Sequence, residues 1–124
     1  MKKILIVDDA ATVRMYHRGI LTQAGYETEE AINGVEALEK AHSNHFDLYV
    51  VDVNMPKMDG YTFIRQLRES LQIMQAPAMM ISTESEAQDE TEAYLCGANL
   101  YMVKPVRPEQ LLECARLLIG SDMS

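Results

Sequence analysis

Four short runs constrain this chain more than any other feature: Ile4-Leu5-Ile6-Val7, Leu48-Tyr49-Val50-Val51, Ala78-Met79-Met80-Ile81 and Leu100-Tyr101-Met102-Val103. A strand with one face in water alternates apolar and polar residues. A run that is apolar at every position predicts a strand covered on both faces, as in a parallel sheet between helical layers. A fifth candidate, Tyr26-Glu27-Thr28-Glu29-Glu30-Ala31-Ile32, is far more polar and suits an edge strand, where charges discourage edge-to-edge pairing. Between the runs the apolar spacing changes to three and four. Val13, Tyr16, Ile20, Leu21 and Ala24 form one stripe, closed by Gly25; Val35, Leu38 and Ala41 form a second after Asn33-Gly34. Phe63, Ile64, Leu67 and Leu71 make a third, and a weaker helix from about Glu86 to Cys96 is closed by Gly97. Leu111, Leu112, Ala115, Leu118 and Ile119 make the fifth, with Pro108 near its first turn. Five strands alternating with five helices predict an α/β fold with a parallel sheet. The connections are short, so residues 1–120 are expected to form one domain and 121–124 a frayed tail.

Charge and length narrow the function classes. The 124 residues carry 11 Lys and Arg against 19 Asp and Glu, a formal charge of −8. A duplex-binding protein needs cations to displace counterions from phosphates, so nucleic acid is not expected as a partner. No apolar run approaches the roughly 20 residues of a membrane span, and Asp8-Asp9 ends the N-terminal apolar stretch too early for a signal peptide. A cytoplasmic protein is expected. Cys96 and Cys114 are too few for a disulfide framework and read as small core residues or surface thiols. His42 and His45 have metal-like spacing but lie in a polar stretch that reads as a solvated helix end.

Ligands of an open parallel sheet bind beyond the carboxyl ends of its strands. Asp8 and Asp9 follow the first run, Asp52 the second, Ser82 and Thr83 the third, and Lys104-Pro105 the fourth. Singly, each has a plain structural explanation: Asp9 or Ser82-Thr83 as a helix cap, Lys104 as a solvated cation. Jointly they do not, because two carboxylates about 5 Å apart repel by roughly 3 kcal/mol at an effective dielectric near 20. Three carboxylates need more positive charge than Lys104 supplies. Oxygen-only ligation without Cys or His points to Mg²⁺. A divalent ion, an ammonium and a hydroxyl around one carboxylate are arranged to receive a phosphoryl group. Asp52 is the natural nucleophile, since it sits on a middle strand, and its product would be an acyl phosphate.

The motifs resemble those of response regulator receiver domains, specifically the single-domain CheY-like group. They are Ile6-Val7-Asp8-Asp9, Asp52-Val53-Asn54-Met55-Pro56-Lys57-Met58-Asp59-Gly60, Met79-Met80-Ile81-Ser82-Thr83, Gly97-Ala98 and Tyr101-Met102-Val103-Lys104-Pro105, in the family's order and over nearly the whole chain. The resemblance implies a flavodoxin-like doubly wound sheet of order 2-1-3-4-5 with five flanking helices. It implies Asp52 as phosphoacceptor, Asp8 and Asp9 as Mg²⁺ ligands (Asp8 partly through water), and Asn54 as a metal ligand through its backbone carbonyl. Ser82 and Lys104 would contact the phosphoryl group, the Lys104-Pro105 peptide would be cis, and Gly60 would let the backbone turn into the third helix. Ser82 and Tyr101 would form a switch that remodels the face made by helix 4, strand 5 and helix 5. A sensor histidine kinase is the implied donor to a monomeric protein with no enzymatic role beyond its own phosphorylation and dephosphorylation. The Asp52, Asn54 and Glu84 combination, with Tyr101, leans toward chemotaxis and a flagellar switch partner. A phosphorelay intermediate and a phosphorylation-independent interaction module are the alternatives.

There are departures. Ser82 stands for the commoner threonine, Thr83 for a small alanine and Val106 for the usual aromatic, and Glu84, Glu86, Asp89, Glu90 and Glu92 make the start of helix 4 acidic. Two other classes share parts of the pattern. A flavin or mononucleotide module needs a phosphate loop where Asp8-Asp9 stand. A haloacid-dehalogenase-like phosphatase wants a second Asp where this chain has Asn54, together with a cap and a longer chain.

Overall fold

The computed structural model describes residues 1–120; the tail expected at 121–124 lies outside the described residues. In chain order the elements are β1 (Lys3–Val7), α1 (Ala11–Gln23), β2 (Glu27–Ala31), α2 (Gly34–Ser43), β3 (Leu48–Asp52), α3 (Gly60–Glu69), β4 (Ala78–Ser82), α4 (Ala87–Cys96), β5 (Leu100–Val103) and α5 (Pro108–Ile119). The five strands form one parallel sheet in the order β2-β1-β3-β4-β5. Strand order reverses between β1 and β3, which opens a crevice at their carboxyl ends.

The solid apolar runs are explained by which side each residue takes. Ile4, Ile6, Leu48, Val50, Met79 and Ile81 pack with Leu21 of α1 and with Leu111 and Ala115 of α5. Their neighbours Leu5, Val7, Tyr49, Val51, Ala78 and Met80 point the other way, onto Ala37, Phe63, Ile64, Leu67 and Ala93 of α2, α3 and α4. With both faces dry, neither register position tolerates a polar residue, so the period-two signal vanishes.

β5 departs from that expectation. It is an edge strand in which only Met102 is buried, Leu100 and Tyr101 are half-buried and Val103 is 41% exposed. The edge position is the one the 2-1-3-4-5 order implies, but being apolar throughout does not mark a strand as covered on both faces. At the opposite edge, β2 is polar as expected, and Lys3 answers its charge with an ion pair to Glu29 at 2.6 Å. Leu71 does not belong to the α3 stripe; the helix ends at Glu69 and Leu71 is fully exposed beyond it. Helix starts follow local polar groups. Asn33 accepts from the Glu36 N–H at 2.9 Å while Glu36 reaches back to the Ile32 N–H, and Asp59 accepts from the Thr62 N–H at 2.8 Å. Neither cap expected at the strand ends forms: α1 begins at Ala10 with no side-chain cap, and Ser82 and Thr83 lie well before α4, whose N-cap is Glu86. Gly25 and Gly97 close α1 and α4 at φ of +99° and +113°, where a side chain would be strained.

Candidate functional site

The crevice collects the residues that follow β1, β3, β4 and β5. Lys104 Nζ lies 3.0 Å from Asp8 Oδ2 and 3.0 Å from Asp52 Oδ1, so one ammonium joins the ends of β1 and β3 across 52 and 96 positions of chain. Asp8 and Asp52 are buried, and Asp9 stands exposed at the rim. One carboxylate oxygen from each of the three lies within 4.8 Å of the others. Among the described residues, that hard oxygen set has the spacing and charge to hold a divalent cation such as Mg²⁺. Ser82 is fully buried at the end of β4, and its hydroxyl accepts from the Glu84 N–H at 3.0 Å. Asn54 is exposed in the loop after β3, and the Lys104–Pro105 peptide is cis.

Several neighbours tighten this arrangement. Asp8 Oδ1 accepts from the Ala10 N–H at 2.9 Å, so both of its oxygens are engaged. Arg14 donates to the Asp8 carbonyl at 2.7 Å and is itself anchored on Glu30 of β2 at 2.8 Å. Gly60 is placed by a close approach rather than by a turn. A Cβ there would lie 2.2 Å from the Asp52 carbonyl oxygen, while its φ is not positive. The expectation that its backbone freedom serves a turn is therefore replaced by a steric reason. Tyr101, half-buried, donates from its hydroxyl to the Glu84 carbonyl at 2.7 Å, and Tyr61 of α3 donates to the Asp89 carbonyl at 3.3 Å. Two tyrosines thus tie the β4–α4 segment down.

Arg14, His17 and Tyr61 are absent from the residues singled out in the sequence. His17 is buried at an α1 stripe position four residues from both Val13 and Leu21, and burial lowers its pKa. The spacing marks it, but Tyr16 is the larger apolar neighbour and draws the stripe to itself. Tyr16 is in fact exposed.

The electrostatics follow from burial. Burial raises the Asp52 carboxyl from 3.8 to about 6; the Lys104 hydrogen bond works against this and the charges of Asp8 and Asp9 add to it. For Lys104, burial works to lower the pKa, but its hydrogen bonds to Asp8 and Asp52 outweigh that and leave it raised. With a folded pKa above the unfolded one, Asp52 keeps in the native state a proton that the unfolded chain has lost between about pH 4 and 6. Its contribution to stability therefore falls as pH rises through that window, by roughly 3 kcal/mol in all. Referring the protein to its Asp52→Asn variant cancels the opposite drift from His17. Urea titrations from pH 4 to 7 should show the protein losing ground to the variant, and millimolar Mg²⁺ should restore most of it. A difference flat in pH and indifferent to Mg²⁺ would mean that the three acids are not crowded.

Comparison with known proteins gives one consistent answer. The family profile described as the response regulator receiver domain matches residues 4–116. The chemotaxis protein CheY1 of Helicobacter pylori is 35% identical over 122 residues, 97% of this chain and 98% of that protein. The sensor protein EvgS of Escherichia coli K12 is 40% identical over 103 residues, 83% of this chain but only 8% of that much longer protein. Among solved structures, the chemotaxis response regulator CheY4 of Vibrio cholerae superposes with a TM-score of 0.89 at 39% identity, covering 95% of this chain and 98% of that one.

Proposed function

The chain belongs to the response regulator receiver family, and from that premise we propose that it takes a phosphoryl group from a histidine kinase phosphohistidine onto Asp52 and passes the signal to an output protein. It is a CheY-like signalling domain rather than a dedicated enzyme. The observation that carries the reading is Lys104 Nζ standing 3.0 Å from both Asp8 and Asp52 beside a cluster of three carboxylates.

In the proposed reaction an Asp52 carboxylate oxygen attacks phosphorus, a P–O bond to Asp52 forms, and the P–N bond to the donor imidazole breaks with its electron pair leaving on nitrogen. Lys104 holds one Asp52 oxygen and leaves the other for attack, then pairs with a phosphoryl oxygen as charge shifts outward. Ser82 turns its hydroxyl to a second phosphoryl oxygen, releasing the Glu84 N–H it now accepts from. Asp8, Asp9, Asp52 and the Asn54 backbone carbonyl would hold Mg²⁺, which when bound supplies Lewis-acid neutralisation of the phosphoryl charge.

The consequence reaches the surface through Tyr101. Its hydroxyl sits on the Glu84 carbonyl, two residues beyond Ser82, so movement of Ser82 shifts the acceptor that positions the ring. In this proposal the β4–α4 segment and the α4-β5-α5 face have two arrangements, and the acyl phosphate biases their populations. α4 suits such a role, since only Ala93 and Cys96 of its ten residues are buried. Likeness to chemotaxis proteins over 90% or more of both chains supports a motility output; the proposal takes a flagellar switch component as the partner and a monomer in the cytoplasm as the form that acts. No helix among the described residues is long and apolar enough to cross a membrane. A second reading, an intermediate that hands phosphate to a histidine phosphotransfer protein, draws on the likeness to a sensor protein.

The test is phosphotransfer. Autophosphorylated histidine kinases incubated with the chain and Mg²⁺ should lose label to it within minutes, in at least one pairing. Onward transfer to a histidine phosphotransfer domain would favour the second reading. Failure of every kinase and of acetyl phosphate to label the chain would leave only a phosphorylation-independent module.

A further inference from the structure

The face proposed for output has a chemistry of its own. β5 ends the sheet and is paired on one side only, and Val103 on it is 41% exposed. Tyr94 of α4 is 43% exposed, one helical turn beyond Glu90. These apolar groups sit in an acidic stretch, with Arg65 and Arg68 of α3 acting on the Cys96 end of α4. From Glu69 through Val103 the chain has no Lys, Arg or His, and Glu84, Glu86, Asp89, Glu90 and Glu92 fall inside that stretch. Glu84, whose carbonyl accepts from the Tyr101 hydroxyl at 2.7 Å, Asp89 and Glu90 are within electrostatic reach of β5. Burial raises the Tyr101 hydroxyl pKa, a Ser82 hydrogen bond works against this, and the charges of Asp89, Glu84 and Glu90 add to the rise. The cations that follow in the chain do not offset them. Lys104 is held between Asp8 and Asp52, Arg107 lies 3.9 Å from the Glu109 carboxylate, and Arg116 lines the groove against α1.

We infer that the segment docking on α4 and β5 is a basic amphipathic one, its apolar side chains meeting Val103 and Tyr94 and its lysines or arginines meeting Glu84 and Glu90. This rests on the reading of α4-β5-α5 as the output face and adds the partner's charge to it. Complementary charge selects the partner and speeds its arrival, and like-charge repulsion from Glu84, Asp89 and Glu90 disfavours an acidic segment there. The apolar contacts supply the part of the affinity that salt does not screen.

The experiment uses the chain with Mg²⁺ and beryllofluoride as the phosphoryl mimic. Binding of a labelled amphipathic peptide of leucine and lysine, and of its leucine–glutamate counterpart, is followed by fluorescence polarisation, with amide chemical shifts locating the site. The cationic peptide should bind and shift residues of α4 and β5, and the anionic one should not. Glu90→Lys and Val103→Ser should each weaken binding about fivefold or more, while Glu39→Lys, the same charge change on exposed α2, should leave it within twofold. An equal loss in Glu39→Lys, or shifts confined to other elements, would reduce the effect to diffuse charge attraction and overturn the inference. Preference for the anionic peptide at α4 and β5 would overturn it while leaving the output face standing. Should beryllofluoride itself leave α4 and β5 unshifted, the reading of the face falls, and the inference with it.

Discussion

Asp52→Asn will take up no label from radiolabelled acetyl phosphate in millimolar Mg²⁺, where the unsubstituted protein approaches one phosphoryl group per chain. The loss should reach the detection limit, at least about a hundredfold, because it removes the nucleophile itself and not one of its helpers. The choice among three carboxylates rests on what each oxygen already does. Asp8 has both oxygens committed, one to the Ala10 N–H and one to Lys104. Asp9 is exposed, so an acyl phosphate on it would meet water freely. Asp52 is buried with one oxygen on Lys104. It alone combines a free attacking oxygen with a walled pocket. Its raised pKa of about 6 still leaves it mostly ionised at pH 7.5, and labelling of the unsubstituted protein should slow as pH falls below about 6. The label should be released by alkali, as expected of a mixed anhydride. The variant should be at least as stable as the parent at neutral pH, since it removes a buried charge crowded by Asp8 and Asp9, so loss of labelling will not reflect loss of fold. Alkali-labile label that persists on the variant would move the acceptor to another residue.

What could be read from the sequence, and what could not, divides along a physical line. The interior strands were legible because burial on both faces excludes polar residues at every position, and the site because strand ends in such a sheet converge whatever the loops do. Asp8, Asp52 and Lys104 are joined at 3.0 Å as that argument requires. β5 holds the edge position that the 2-1-3-4-5 order implies, but its solid apolar run overstates its cover: Val103 is exposed and Tyr101 only half-buried. On the proposed reading Val103 belongs to a surface that a partner covers. Leu71 departs from its expected place because a stripe of spacing three and four continues past the residue where the helix stops, and only the extended backbone at Ser70 ends it. Arg14 was invisible for a different reason. Its partners are a backbone carbonyl at Asp8 and a carboxylate on β2, and a carbonyl leaves no trace in side-chain pattern. The need for glycine at position 60 is legible but its cause is not, since a close approach and a turn both select glycine.

That difference in cause can be measured. Gly60→Ala should destabilise the protein by about 3 kcal/mol or more, at the upper end of what overpacking does. Its Cβ would stand 2.2 Å from the Asp52 carbonyl oxygen and 3.1 Å from both the Asp52 carbonyl carbon and Val53 Cα. These are backbone atoms at the end of a central strand, with no rotamer to yield. The Gly60 N–H also donates to the Val53 carbonyl at 2.8 Å, which fixes the two segments at that separation. Relief must come from pushing the end of β3 away from α3, and the residue that moves is Asp52. Mg²⁺ affinity and phosphoryl acceptance should therefore fall along with stability. A glycine needed only for a turn would let alanine disturb the loop and spare the strand end. Gly19→Ala supplies the contrast. That glycine lies inside α1 with nothing within 4 Å of an added Cβ, so alanine there should stabilise the protein by about 0.5–1 kcal/mol through helix propensity. Opposite signs in urea unfolding for the two substitutions, with Mg²⁺ affinity changed only by the first, would tie the contact beneath Asp52 to the chemistry above it. A Gly60→Ala protein that unfolds like the parent and binds Mg²⁺ as tightly would show that β3 does not depend on that contact for its position.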